Sequence, residues 1–369
     1  MNSLLTAVVV AVLGLPAPVP AASEWTQNGY GAGLTFYNPD ERSLTGATVG
    51  AVRQRWEIST HGGPECEVGR EPLVGGGNVY TSDPGGVGAY DPATGVRRWH
   101  AELKRRGVTR MALSQGFLVT LSYACDGQRA YLNAFRAGSG VLVWEVQLSA
   151  PSQDMIVDDG VVVVDTRPDY ETSTVAHRLA TGARLWKLFG TRGHGLLSAG
   201  GRLLVRTQGD GSRAVSIVTG ATIWTTREDW YAVGSDPAGS RFYVGGGKRG
   251  LTAIDAATGN RVWESDWPTP SVTADRDRVY VPRQRTVICL DAKTGRRLWA
   301  MHLPDGAGQP VRAGELLYSP SGLGAALSIV DAVTGRVRGG GMPSSDSHPP
   351  TVAGGRLLLT DGSRLRAYF

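Results

Sequence analysis

The chain has 369 residues, of which 51 are glycine, 41% apolar and 19% charged, with a net charge of +5. Glycine at about twice its usual share of roughly 7% points to a turn-rich β protein rather than a helical bundle, and the apolar content is ample for a large core, which excludes a disordered chain. The basic residues are 34 Arg and 4 Lys, and their densest run, Lys104-Arg105-Arg106, is short and neighboured by Glu102. A phosphate footprint needs a basic stripe with stacking or base-reading groups, so no nucleic-acid partner is expected.

In chain order, residues 4–15 are an apolar run too short to span a bilayer, followed by Pro16, Pro18 and Pro20 and by the small residues of Val19-Pro20-Ala21. This predicts a signal peptide over 1–21, cleaved after Ala21 or Ala22, and hence a secreted, periplasmic or cell-envelope protein. No cysteine precedes Cys66 to carry a lipid, and no other stretch is apolar enough for a transmembrane helix. Residues 22–52 are expected to be a lead segment and 53–369 one domain.

From residue 89 onward one pattern recurs: a short apolar strand ending in Ala-x-Asp, then Thr-Gly, three residues and Trp. Its best copies run from Ala89 to Trp99, Ala253 to Trp263 and Cys289 to Trp299; degenerate copies centre on Gly140, Gly182, Gly220 and Gly335, the last with Gly339 where Trp is due. The turn glycines are spaced 45, 42, 38, 39, 36 and 40 residues apart. A period near 40 with β composition is that of four-stranded propeller blades. Inner hairpins give a second count, with turns at Gly76-Gly77, Gln115-Gly116, Asp159-Gly160, Gly200-Gly201, Gly239-Ser240, Arg276-Asp277, Ala313-Gly314 and Gly354-Gly355. Eight inner hairpins against seven Thr-Gly turns leave the last repeat without an outer strand. The sequence Arg53-Gln54-Arg55-Trp56-Glu57-Ile58 supplies one, so the fold class is all-β: an eight-bladed β-propeller of four-stranded antiparallel blades, closed by pairing N- and C-terminal strands.

In each repeat the Asp can bond the backbone of the following turn, Thr can cap it, Gly can take a left-handed conformation and Trp can cover the space between blades. Seven of the ten Trp (56, 99, 144, 186, 224, 263 and 299) are assigned this stabilising role. The stretch 245–250 fits G-x-G-x-x-G but lies between two strands with no following helix, so it is read as a hairpin connection. There is no G-x-S-x-G elbow, no Cys or His pair has zinc spacing and the six His are scattered, so no metal site is expected.

With strands lettered A to D from the channel outward, the A–B and C–D turns share one face and the D–A and B–C loops the other. On that second face Arg110, Asp154, His194, Gln309 and His348 are predicted to gather around the channel mouth. Trp230 and Trp267, in consecutive loops there, would add an aromatic surface for a ligand. Of the three cysteines, Cys66 and Cys125 fall in loops of this face on adjacent blades, which predicts a disulfide between them, while Cys289 sits in an apolar run as a buried, inert thiol.

The Ala-x-Asp-x-x-Thr-Gly-x-x-x-Trp repeats, with a lead running from Trp25 to Trp56, resemble the pyrroloquinoline-quinone (PQQ) repeat family over essentially all of the predicted mature chain. The resemblance implies an eight-bladed propeller, as in quinoprotein dehydrogenases and the propeller lipoprotein of the outer-membrane assembly machinery. Quinoprotein alcohol dehydrogenases carry adjacent cysteines beside the quinone and acidic and amide calcium ligands, to which no residue here can be matched. The expected function is therefore an exported, non-enzymatic, monomeric binding or scaffold module at the cell envelope, holding a protein, small molecule or saccharide on the D–A/B–C face without a cofactor. The alternative is a quinoprotein oxidoreductase with PQQ, calcium and divergent ligands.

Overall fold

The structure, a computed structural model, describes residues 23–369 apart from 61–70, 153, 167–171, 193–194, 208, 210, 247–249, 305, 322–325, 344–347 and 362. Eight antiparallel sheets of four blade strands each follow one another around a central channel. Blade 1 is typical: Leu73–Gly75, Asn78–Asp83, Gly86–Tyr90 and Arg97–Glu102. Blade 8 takes Thr351–Ala353, Arg356–Thr360 and Arg364–Tyr368 from the end of the chain and Gln54–Ser59 from its beginning. The closing register pairs Trp56 with Ala367, Glu57 with Arg366 and Ile58 with Leu365. Glu57 also binds Arg364 at 2.8 Å and Arg366 at 2.7 Å across the seam.

The repeat performs as its residue types require. The Asp91 carboxylate accepts from Ala93 N at 2.8 Å, Thr94 N at 2.9 Å and Thr94 Oγ1 at 3.1 Å, and Asp255, Asp291 and Asp331 do the same in their own turns. Each turn glycine then receives the tryptophan of the preceding blade. A Cβ on Gly140 would lie 2.5 Å from Trp99 Cε3, and Gly95, Gly182, Gly220, Gly259, Gly295 and Gly335 meet Trp56, Trp144, Trp186, Trp224, Trp263 and Trp299 in the same way. The indole N–H completes the joint by donating to a carbonyl of the next blade, as Trp99 does to Ala137 at 3.0 Å and Trp144 to Leu179 at 2.8 Å. Trp299 has no such partner; Tyr280 Oη donates to the corresponding carbonyl, Ala332, at 3.2 Å. Where Gly339 replaces Trp, the lead intervenes, with Val49, 1% exposed, 3.7 Å from the position of a Cβ there.

Five inner turns are two-residue connections with positive φ at both positions, as right-twisted hairpins favour. Three differ from the sequence reading. The blade-7 turn is Gly314-Glu315, one residue later than expected, because Ala313 pairs with Leu316. Blade 5 uses the longer connection 236–240, folded around the Asp236 carboxylate, which accepts from Ser240 N and Arg241 N. Blade 6 uses 275–277, organised by Asp275 in the same manner.

The lead does more than deliver the closing strand. Innermost strands of a propeller present an open edge to the channel, and unpaired edge groups need partners. Residues 23–41 supply them in all eight blades. Trp25 exchanges two backbone bonds with Val74, Leu113 N donates to Thr26 O, and the Gln27 side chain bonds both N and O of Val157. Ala32, Gly33 and Thr35 carbonyls then accept from Ser198, Ser235 and Ala274. Tyr37–Asn38 runs parallel to Val311–Ala313, and Asn38 Nδ2 donates to Val352 O at 2.8 Å. The lead thus covers the channel on the A–B turn face, leaving the D–A/B–C face as the opposite mouth.

Candidate functional site

On that opposite face, Arg110 lies in Arg106–Ser114 of blade 2, where a register shift between Val108 and Arg110 re-aims the strand. Asp154 immediately precedes Met155–Asp158 of blade 3. The two meet, with Arg110 Nε 3.2 Å from Asp154 Oδ1, both partly buried. Asp154 Oδ1 also accepts from Met155 N and its Oδ2 from Leu196 N, each at 3.0 Å, so that it ties blades 2, 3 and 4 together. Beneath it Asp165, 2% exposed, accepts from Asp154 N at 2.9 Å and from Ser152 Oγ at 3.3 Å. Burial raises the Asp154 carboxyl above its ordinary range, Arg110 opposing this and Asp165 adding to it.

Glu71, at the entrance to blade 1, joins this cluster. Burial pushes its carboxyl up to about 7, with Arg110 opposing and Asp154 adding. The sequence reading missed it, although a signal was present: Glu71 stands two residues before Leu73–Gly75, as Gln309 stands two before Val311–Ala313. Gln309 donates from Nε2 to Thr273 Oγ1 at 2.7 Å and leaves its buried Oε1 without a partner. It lines a groove of about 380 Å³ between blades 6 and 7, walled by Pro268, Pro270, Pro282, Arg283 and Gln284.

The two loop tryptophans have different settings. Trp230 is 3% exposed and packs with Leu204 and Phe242 between blades 4 and 5, its Nε1 unpartnered. Trp267 is half-buried on blade 6, with the Arg283 guanidinium 5.3 Å from its ring centre. His348 is half-buried at the approach to blade 8. His194 and Cys66, like the expected signal peptide, lie outside the described residues. Cys125 opens the B–C loop of blade 2, its N bonded to Arg105 O at 3.0 Å. Cys289 is free and buried as expected, its thiol pushed up to about 12 by desolvation.

Among the described residues no group of three or more His, Cys, Asp or Glu could hold a metal ion. Among the described residues of the mouth, the Asp154 oxygens are bonded to Arg110 and two backbone amides and are not clustered with the further acidic and amide donors that a calcium–quinone pair takes.

A family model described as outer membrane protein assembly factor BamB matches residues 83–189, 171–285 and 283–368. No curated protein matches the chain. Among solved structures, BamB from Moraxella catarrhalis is similar with a TM-score of 0.64 and 17% identity, over 86% of this chain and 97% of that one. Quinohemoprotein alcohol dehydrogenase ADHIIG from Pseudomonas putida HK5 gives a TM-score of 0.70 and 13% identity, over 94% and 80%. A europium-containing methanol dehydrogenase gives 0.64 and 15%, over 93% and 89%. At such identities the structural likeness speaks for the fold alone.

Proposed function

Because the chain belongs to the PQQ-like propeller family described as outer membrane protein assembly factor BamB, we propose that it is an exported, non-enzymatic scaffold of the cell envelope that binds a protein partner on its D–A/B–C face. The observation that carries this reading is the state of Asp154. Asp154 is bonded to Arg110, Met155 N and Leu196 N and so orders the loops of three blades, a structural role that fits a rigid binding face. Farther round the ring, between blades 6 and 7, lies a proline-walled groove backed by the buried, unpartnered Gln309 Oε1, a lining suited to recognising a polypeptide rather than transforming a substrate. His194, His348, Trp267 and Glu71 complete the proposed rim, with Trp230 supporting it from within.

The quinoprotein reading draws on the fold likeness to alcohol and methanol dehydrogenases, against the donor set at the mouth. Both readings are tested together. A photo-crosslinking residue at exposed Gln284 should yield a discrete protein adduct in the producing cells, and one at Val143 on the outer edge of blade 2 should not. The purified protein mixed with PQQ and Ca²⁺ should show no bound-quinone absorbance. Stoichiometric quinone uptake, or equal adducts at both positions, would overturn the proposal.

The Cys66–Cys125 bridge is part of the same proposal. It would tie the entrance of blade 1 to the B–C loop of blade 2, and the third cysteine, Cys289, is buried in blade 6 and free.

A further inference from the structure

The A–B turn face carries a second concavity, unrelated to the mouth described above. It is a groove of about 550 Å³ between the lead, which contributes Tyr30, Thr35 and Tyr37, and the inner turns of blades 3, 4 and 5. Its floor is bare main chain. Gly31 would have nothing within 4 Å of a Cβ, and Gly200 lies so close to the neighbouring turn that a Cβ there would come within 2.8 Å of Gly239 O. At Gly31 the side-chain-free backbone lets another chain approach within hydrogen-bonding distance, while Gly200 is glycine so that the blade-4 and blade-5 turns can close together beneath the groove.

The walls are acidic. Asp158 and Asp159 stand at the blade-3 turn and Asp236 at the blade-5 turn, and none of the three forms an ion pair with a described residue. Asp236 is bonded to Ser240 and Arg241 N, and Asp158 Oδ1 accepts from Asp159 N, but these bonds leave the negative charges unbalanced. Of the nearby cations Arg312 pairs with Asp275 at 3.3 Å, while Arg202, which donates to Gly200 O at 2.9 Å, and Arg276, near Tyr37, keep their charges, so that the three carboxylates still outnumber them. An independent sign of a missing partner comes from Ser198, which lines the groove, is 4% exposed and has an unpartnered Oγ. Exposed carboxylates attract cations over a screening length of about 10 Å at 0.1 M salt, and tyrosine faces accept guanidinium groups. Tyr37 already holds Arg312 at 5.8 Å on its ring.

We propose that this groove is a second binding site, for an extended peptide segment bearing two basic side chains. Its main chain would lie over Gly31, and its cationic groups would reach Asp158 and Asp159 on one side and Asp236 on the other. A polyamine shares the charge but not the backbone complement, which makes it the discriminating comparison.

The test is calorimetric titration of the full chain with the peptide acetyl-Ala-Arg-Ala-Arg-Ala-amide, its Glu counterpart and spermidine, at low and at physiological salt. The Arg peptide is expected to bind, more weakly as salt rises; the Glu peptide should not bind, and spermidine should bind less tightly. The variant Asp158→Asn/Asp159→Asn should weaken the Arg peptide by about fivefold or more with an unchanged melting temperature. Gly31→Gln, which extends a side chain over the floor from a position that meets no neighbour, should block the peptide. Arg110→Ala at the opposite mouth should leave it unaffected, which separates this site from the one assigned to the envelope partner. Absence of binding at low salt, undiminished binding by the double Asn variant, or spermidine binding as tightly as the peptide would overturn the proposal.

Discussion

Gly140→Ala tests whether the blades are joined through tryptophan seated on turn glycines. Gly140, in the C–D turn of blade 2, has φ of 72° and would place a Cβ 2.5 Å from Trp99 Cε3; Gly116, in the A–B turn of the same blade, has φ of 79° and nothing within 4 Å. A left-handed alanine costs about 1–2 kcal/mol, and the less flexible unfolded chain returns about 0.4–1, so Gly116→Ala should destabilise by about 1 kcal/mol. Gly140→Ala adds the displacement of an indole held between blades, an overpacking cost of about 1–3 kcal/mol, for a total of about 2–4. At about 2.1 cal/mol/K of unfolding entropy per residue, each kcal/mol lowers the melting temperature of this chain by about 1.4 °C, so denaturant midpoints are the better assay. The cycle is completed in a Trp99→Ala background, where Gly140→Ala should fall back to about 1 kcal/mol and give a coupling of about 1–3. Equal losses for Gly116→Ala and Gly140→Ala, or a coupling near zero, would refute the interlocking role of the tryptophans.

Deleting residues 360–369 removes Leu365 and Ala367, both 0% exposed, together with the ladder to Gln54–Ser59 and the Glu57 ion pairs; the ring should lose cooperative unfolding, and an unchanged melting temperature would contradict the closure. Glu71, with its carboxyl pushed up to about 7, holds a proton in the folded state that the unfolded chain releases near 4.5, so it lowers stability as pH rises from about 4.5 through 7. Glu71→Gln should remove that part of the slope, and identical pH–stability profiles for the two proteins would sink the assignment. A non-reduced digest should yield Cys66 and Cys125 in one linked peptide pair and Cys289 as an alkylated single peptide; recovery of all three as separate alkylated peptides would end the disulfide proposal.

Blade number and the manner of closure were legible in the sequence because the repeat is a local device. Asp91, Thr94, Gly95 and Trp99 lie within nine residues and recur together, so their spacing survives in the string even though Trp99 seats on Gly140 of the next blade, and the surplus inner hairpin made the exchange of Gln54–Ser59 countable. The lengths of the blade-5 and blade-6 turns were less legible, since Asp236 and Asp275 organise loops that carry no Gly-Gly signal.

What only the tertiary structure decided is how non-repeating residues are spent. Residues 23–41 have no strand or helix period, and their partners are edge groups on eight separate strands, with Gln27 bonding Val157 at a separation of 130 residues and Asn38 bonding Val352 at 314. Trp230 and Trp267 read alike as loop aromatics, yet one is 3% exposed between two blades and the other half-buried on its own blade, because the packing of neighbouring sheets sets how deep each loop lies. Asp154 was recognisable by type, but its commitment to Arg110, Met155 and Leu196 depends on where three blades converge. Residue chemistry is written in the chain, whereas the occupancy of each donor and acceptor is settled by neighbours brought together only when the ring closes.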